Sequence, residues 1–267
     1  MPLPIRRRLA LASAGVLCAG AALAWSPGSQ AEIATEAARL VPPDFYRQIE
    51  KHWQAYMDGV VAPFRDRDAM LHQANPGGSG RLEEVLALEV ERTVQYIRDH
   101  RPFKDIVEQA GVVVHYSTDL HNPLNCSSAD ADEGQYFADF AHYLESARPR
   151  VALVFHGTEP TLDGGNVKRF VADVLSRCRG HYPLVGAEYR RIGKLPGRRY
   201  FDDRSTAFAV ASLAYSRAVT DGALLLRHIW IRAGGADFRS PPKSSQNRLV
   251  LIPPRPQAAA PPASPQP

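Results

Sequence analysis

The sequence predicts an all-α fold, organised as one compact multi-helix domain, and three observations support this class. The chain has 267 residues, of which 45% are apolar and 22% are charged, a composition typical of a globular protein with a core. Apolar residues recur every three or four positions along most of the chain, which is the period of an amphipathic helix. A regular series of alternating strands, which a sheet would need, is missing from the sequence.

The N-terminus carries the features of a signal peptide. Three arginines at 6–8 precede an apolar stretch at 9–23, and a small residue, Ala24, lies where a signal peptidase would cut. A second possible cut follows Ala31. We therefore predict that residues 1–24 are a signal peptide and that the mature chain is secreted or periplasmic.

The rest of the chain divides into a domain and a tail. Residues 25–240 form the predicted domain, and residues 241–267, rich in proline and alanine, form a predicted disordered tail. No further apolar run is long enough to cross a bilayer, so no transmembrane segment is expected after cleavage. Without the three leader arginines, 29 basic residues (32 less 3) face 28 acidic ones, so general nucleic-acid binding is not expected. The oligomeric state stays open.

Prolines and a glycine-rich loop punctuate the first half of the domain. Pro42 ends the first predicted helix, and residues 63–81, which include the run PGGSG, are predicted to be a loop. Pro102 separates an amphipathic helix from a markedly apolar one. The four predicted helices of this half span 31–40, 44–56, 82–99 and 103–121.

The second half continues with helices but contains two segments without a clear helical period. Residues 150–156 are rich in β-branched residues, yet an isolated strand would have nothing to pair with, so their structure stays open. Residues 179–202, interrupted by glycine and proline, are predicted to be a loop. The last predicted helix is either continuous or divided near Gly222. The helices of this half span 132–147, 165–178 and 203–233.

Two polar residues on the apolar helix at 103–121 are candidates for chemistry. His115 and Asp119 lie four positions apart and therefore on one face of the helix. A buried polar pair must be satisfied, either by an internal hydrogen bond or by a metal ion that both side chains bind. The spacing alone leaves both interpretations open.

The run GVVVHYSTDLHNPLN at 111–125 resembles the signature of the zinc-dependent phospholipase C family, which also includes single-strand-specific nucleases. The resemblance extends over residues 25–147, with HQANPGGSGR at 72–81 among its segments. The segment at 200–221 resembles the C-terminal helix of bacterial members. The resemblance implies an all-α fold in which three zinc ions lie in a cleft and activate water to attack a phosphodiester.

The resemblance also implies a partial set of metal ligands. The positions that match ligands of the family are Trp25 (through the amine freed by cleavage and its carbonyl), His72, His115 and Asp119. Asp66 or Asp68 is a candidate to complete the set. Other ligand positions carry residues that bind zinc poorly or not at all, namely Gln30, Phe64, Asn125, Phe137 and Ala141. His142 and Glu145 lie near the last two positions and are candidates for restoring that site, but they face differently. Because of the replaced ligands, fewer than three zinc ions are expected, down to none.

Two functions follow from this resemblance. The first is an exported zinc-dependent hydrolase of phosphate esters or phosphodiesters with a reduced metal site, where Asp119 acts with a metal-bound water on a phosphate-ester or phospholipid small molecule. The second is a family member without turnover that binds a phospholipid headgroup, a nucleotide or a protein partner. An α/β-hydrolase is not expected, because the motif G-x-S-x-G is missing. Cys126 and Cys178 could pair in an oxidising compartment or stay free.

Overall fold

Helices dominate the computed structural model, which describes residues 25–75, 80–126 and 130–237 and the backbone of 250–251. The predicted all-α class is confirmed in this part of the chain. The predicted signal peptide and most of the predicted tail lie outside the described residues. The helices are α1 (Pro27–Ala38), α2 (Pro43–Lys51), α3 (Trp53–Val61), α4 (Leu82–Arg98), α5 (Phe103–Asp119), α6 (Glu133–Ala147), α7 (Pro160–Asp163), α8 (Val167–Arg179), α9 (Tyr182–Ile192) and α10 (Thr206–Arg232).

Local signals in the sequence set where the first and last helices begin. Ser26 caps α1 by accepting a hydrogen bond from a backbone amide in the first turn at 3.1 Å, and Pro27 suits the first helical position because its nitrogen needs no partner there. Ser205 caps α10 in the same way by accepting from the amide of Phe208 at 3.1 Å. Helix α10 then runs without a break, so the division considered near Gly222 does not occur.

Helix α5 lies at the centre of the fold and packs against α1, α3, α4 and α10. Most of its second half is buried, which explains why its sequence is so apolar. The side chains of Val113 and Val114 enter two different hydrophobic clusters, one shared with α4 and α8 and the other with α2 and α3. Among the described residues, no helix combines the length and the apolar character that crossing a bilayer requires.

Helices α3 and α5 approach each other backbone to backbone where two glycines meet. A Cβ at Gly59 would lie 1.8 Å from the carbonyl oxygen of Glu108, and a Cβ at Gly111 would lie 2.2 Å from the carbonyl oxygen of Tyr56. A side chain of any size therefore pushes the helices apart at either position. The close approach places the backbone of Val60 against the middle of α5.

The prediction of a loop over 179–202 is wrong, because this segment contains α9. Tyr182 and Tyr189 on this helix are buried in the core with α6 and α10. Pro183 lies in the first turn, where its missing amide costs nothing, and Gly193 ends the helix in the left-handed region at φ 68°. Both residue types are typical of loops, yet each stands where a helix accepts it.

Two further segments are settled by the structure. The helix predicted over 44–56 is divided into α2 and α3 at His52, whose backbone leaves the helical region at φ −116° and ψ 35°. The open segment at 150–156 contains a two-residue strand, β1 (Val154–Phe155), which pairs in parallel with β2 (Val250–Leu251). Strand β2 falls within the segment for which disorder is predicted, and the rest of that segment lies outside the described residues.

Cys126 and Cys178 are buried free thiols rather than a disulfide. The Cys126 thiol donates to the carbonyl oxygens of Leu120 and Asn122, each at 3.3 Å. Burial, together with the neighbouring Cys126, raises the pKa of the Cys178 thiol well above its ordinary value. The protonated state keeps this thiol unreactive, because the thiolate is the nucleophile.

Candidate metal centre

The last turn of α5 and a short 3-10 turn at Ala69–His72 bring three donor side chains together. His72, His115 and Asp119 each present one donor atom, and the three atoms lie within 4.8 Å of one another. His115 and Asp119 are buried, whereas His72 keeps 12% of its side-chain surface exposed. The pair predicted on one face of α5 therefore meets the distant histidine that the resemblance assigns to the same site.

The ring of His115 is oriented by the backbone of α3. Its Nδ1 donates to the carbonyl oxygen of Val60 at 2.7 Å. Because Nδ1 is engaged by Val60, Nε2 is the nitrogen that faces Asp119 Oδ2, 3.4 Å away, and that is available to a metal ion. Proteins commonly fix the tautomer of a metal-binding histidine in this way.

One of the distances between these donor atoms suits a tetrahedral ion, and a second is too short. Two donors at about 2.0–2.2 Å from zinc, separated by a tetrahedral angle, are about 3.3–3.6 Å from each other. The 3.4 Å between His115 Nε2 and Asp119 Oδ2 falls in this range. His72 Nδ1 is closer to Asp119 Oδ2, at 2.7 Å, and is hydrogen-bonded to it. The His72 ring would have to withdraw slightly to admit an ion in place of the shared proton.

The two neighbouring histidines favour the charged form of Asp119 in spite of its burial. Burial alone would raise the pKa of this carboxyl, but the adjacent His115 and His72 hold it below its ordinary value. Burial also opposes a charge on His72, yet the hydrogen bond and charge of Asp119 prevail and raise the pKa of the imidazole. The carboxylate is therefore matched either by a histidine proton or by a cation in the same place.

Two amides and an indole hold the turn that carries Asp119. Gln30 Nε2 donates to Asp119 Oδ1 at 3.0 Å, and Asn125 Nδ2 donates to the backbone oxygen of Asp119 at 3.2 Å. Trp25 is buried beside them, and its indole Nε1 donates to the backbone oxygen of Thr118 at 3.1 Å. Gln30 and Asn125, which replace ligands expected from the resemblance, thus position the ligand that remains.

The two candidate carboxylates are placed differently. Asp66 Oδ2 lies 3.5 Å from His72 Nε2 and accepts a hydrogen bond from the Tyr116 hydroxyl at 2.6 Å. Asp68 instead caps the 3-10 turn and pairs with Arg81 at 2.5 Å. The structure therefore brings Asp66 to the edge of the donor group and directs the carboxylate of Asp68 to other partners.

Phe64 and Phe137, which also replace ligands expected from the resemblance, offer no donor atom to the His72–His115–Asp119 group. The ring of Phe64 lies against His115, with centroids 4.7 Å apart, and Phe137 is buried in the core. Glu145, a candidate for restoring a second site, accepts from the hydroxyl of Ser29 at 2.7 Å. Within the described ranges, His72, His115 and Asp119 are the one set of three or more such side chains close enough to share an ion.

Three contributors to the site are not evident in the sequence. Val60 acts through its backbone oxygen, for which no residue type gives a signal. The sequence indicates Gln30 only as a residue that replaces a ligand, whereas in the structure its amide donates a hydrogen bond to Asp119. Tyr116 follows His115 directly, and a tyrosine beside a candidate ligand is the one sign that could have indicated its role.

No known protein family has a model that matches this chain, and no curated protein is significantly similar to it. The resemblance to the zinc-dependent phospholipase C family therefore rests on the sequence motifs and remains a prediction. The fold and the site define an all-α protein with a His–His–Asp group that could hold a metal ion.

Proposed function

We propose that this protein binds one divalent cation, zinc by the nature of its donors, and hydrolyses phosphate esters or phosphodiesters outside the cytoplasm. The observation that supports this most is the His72–His115–Asp119 group, with the His115 ring fixed by Val60. Two imidazoles and a carboxylate form a donor set of catalytic zinc sites, in which a fourth position stays open. When bound, the cation would lower the pKa of water and neutralise charge on the phosphoryl oxygens.

The side chains around the donor group supply positioning and a proton acceptor. Asp119 contributes a buried carboxyl group whose charged form the two histidines favour, and Gln30 fixes one of its oxygens. His72 and Asp66 are the least buried members, with 12% and 29% of their side-chain surfaces accessible, so a substrate would approach from their side. We assign to Asp66, which the Tyr116 hydroxyl orients, the role of accepting a proton from water.

A second candidate function is binding without turnover. Phe64 and Phe137 stand where the resemblance expects further ligands, so a second and third cation have no donors there. Removing one electrostatic interaction that stabilises a transition state raises the barrier by about 2.7–4 kcal/mol. This candidate keeps the cation and the phosphate ligand but predicts no hydrolysis.

Metal removal tests the proposed function and separates it from the second candidate. We expect the mature chain beginning at Trp25 to retain about one zinc per chain after loading and desalting, and to hydrolyse bis(p-nitrophenyl) phosphate. Treatment with EDTA should abolish both properties, and added zinc should restore them. Elemental analysis and the absorbance of p-nitrophenolate measure the two outcomes.

Retention of well under one zinc per chain would contradict the metal site. Stoichiometric zinc with hydrolysis no faster than in buffer would select the binding protein. Hydrolysis that persists in EDTA would contradict a role for the cation.

Substitution of Gln30 by methionine is expected to weaken zinc binding by about tenfold, the lower end for loss of a side chain that orients a ligand. Methionine keeps the length of the side chain but cannot donate to Asp119 Oδ1. Competition with a chromophoric chelator measures the affinity. Gln54→Met, at an exposed position of α3, is the matched control and should bind zinc as the wild type does. Equal affinity in both variants would show that the Gln30 amide does not position Asp119.

A further inference from the structure

A cavity of about 390 Å³ lies among His121, two residues beyond the end of α5, the C-terminal half of α8 and the middle of α10. Its polar lining includes His121, Arg177, His181 and Arg217. Leu213 belongs to its apolar wall. The three metal donors do not line it, so the cavity is separate from the metal centre.

The two arginines of the cavity differ in how their charges are balanced. Arg177 lies 3.4 Å from Asp221 and 3.7 Å from Glu159. Arg217, by contrast, forms no ion pair within 4.0 Å in the part of the chain that the structure describes. Burial lowers the pKa of the Arg217 guanidinium; the charge of Asp221 opposes this shift, and repulsion from Arg177 adds to it. A half-buried guanidinium that lines a cavity and has no directly paired carboxylate favours an anion there.

Histidines around the cavity have hydrogen-bonding capacity that the protein leaves unused. His121 is only 6% exposed, and its Nε2 makes no hydrogen bond within the described structure, although Asp221 Oδ2 lies 3.3 Å away. Burial and the charges of His121, Arg217 and Arg177 lower the pKa of His181. Arg177 and Arg217 are the cationic side chains of the lining, and the carboxylates of Asp221 and Glu159 lie beside Arg177.

We propose that this cavity binds a phosphate group, carried by a small organic phosphate monoester or present as inorganic phosphate. Guanidinium forks match phosphate oxygens with two parallel hydrogen bonds, and a neutral imidazole can add a third donor. The volume falls within the range of small-molecule sites. The apolar wall at Leu213 suits the organic part of a monoester. This site does not depend on the proposed metal function, because it uses none of the metal donors.

Thermal shifts and calorimetry on the EDTA-treated mature chain test the proposal with two probes, inorganic phosphate and phenyl phosphate, at constant ionic strength. Both probes should raise the melting temperature through linkage, and a larger shift with phenyl phosphate would identify a monoester as the preferred ligand. Arg217→Gln should weaken phosphate binding at least about tenfold, because it removes a charge-assisted hydrogen bond. Lys168→Gln removes the same charge from the exposed surface of α8 and should change nothing.

A second variant keeps the test decisive if Arg217→Gln fails to fold. Leu213→Trp fills the cavity without changing a charge, and it should abolish binding of both probes. No shift with either probe in the wild type would overturn the proposal. Unchanged affinity in Leu213→Trp, or an equal loss in Lys168→Gln, would overturn it as well, because binding would then be general charge screening.

Discussion

Replacement of Asp119 by asparagine is expected to abolish zinc binding and, with it, hydrolysis. Asparagine has the same shape, but it removes the charge that His72 and His115 share and leaves only a neutral amide. Loss of a residue that merely orients a ligand weakens metal binding by about 10–100-fold, so loss of this ligand should exceed about 100-fold. Chelator competition and elemental analysis measure the loss.

The control for this variant is His142→Asn, which alters an exposed histidine of α6. We expect it to retain wild-type zinc content and activity. Circular dichroism should show the same helical content in both variants. If Asp119→Asn kept wild-type affinity, the cation would have to bind elsewhere, and the proposed site would be wrong.

Substitution of Gly111 by alanine is expected to lower the free energy of unfolding by about 3 kcal/mol, the upper end for an overpacked core. The new methyl group would meet the carbonyl oxygen of Tyr56, and backbone atoms cannot turn aside as a flexible side chain can. The separation of α3 and α5 would also withdraw the Val60 oxygen from His115. Urea denaturation measures the stability, and zinc titration measures the effect on the site.

Gly134→Ala is the matched control for this change. Gly134 lies in the first turn of α6, and a Cβ there would have nothing within 4 Å. Alanine should therefore stabilise the protein by about 0.5–1 kcal/mol, because the unfolded chain loses conformational freedom. A Gly111→Ala variant as stable as Gly134→Ala would show that α3 and α5 can separate without cost.

The sequence is sufficient for the fold class and for most helices, because apolar periodicity follows directly from burial on one face. It fails at α9, where Pro183 and Gly193 indicate a loop although they stand at the two ends of a helix. Residue type alone does not distinguish a helix terminus from a helix interruption. The correct interpretation needs the buried partners, and these come from α6 and α10.

The candidate site is predictable to a similar degree. The four-residue spacing of His115 and Asp119 places them on one face, but only the motif resemblance links them to His72. The separate roles of Asp66 and Asp68 could not be predicted, because a two-residue difference beside a 3-10 turn decides which partner each carboxylate meets. The arginine and histidine cavity is also hidden in the sequence, because its members are far apart in the chain.

The hydrogen bond from His115 to the Val60 backbone has a consequence for how this protein can vary. A substitution at Val60 does not remove its backbone carbonyl oxygen. The orientation of the His115 ring therefore depends on how α3 and α5 pack, and not on the side chain of one residue. Any core substitution that displaces α3 along α5 should change the orientation of the His115 ring, even when the substituted residue is far from that ring. Thermostability and zinc affinity should therefore rise and fall together across core variants.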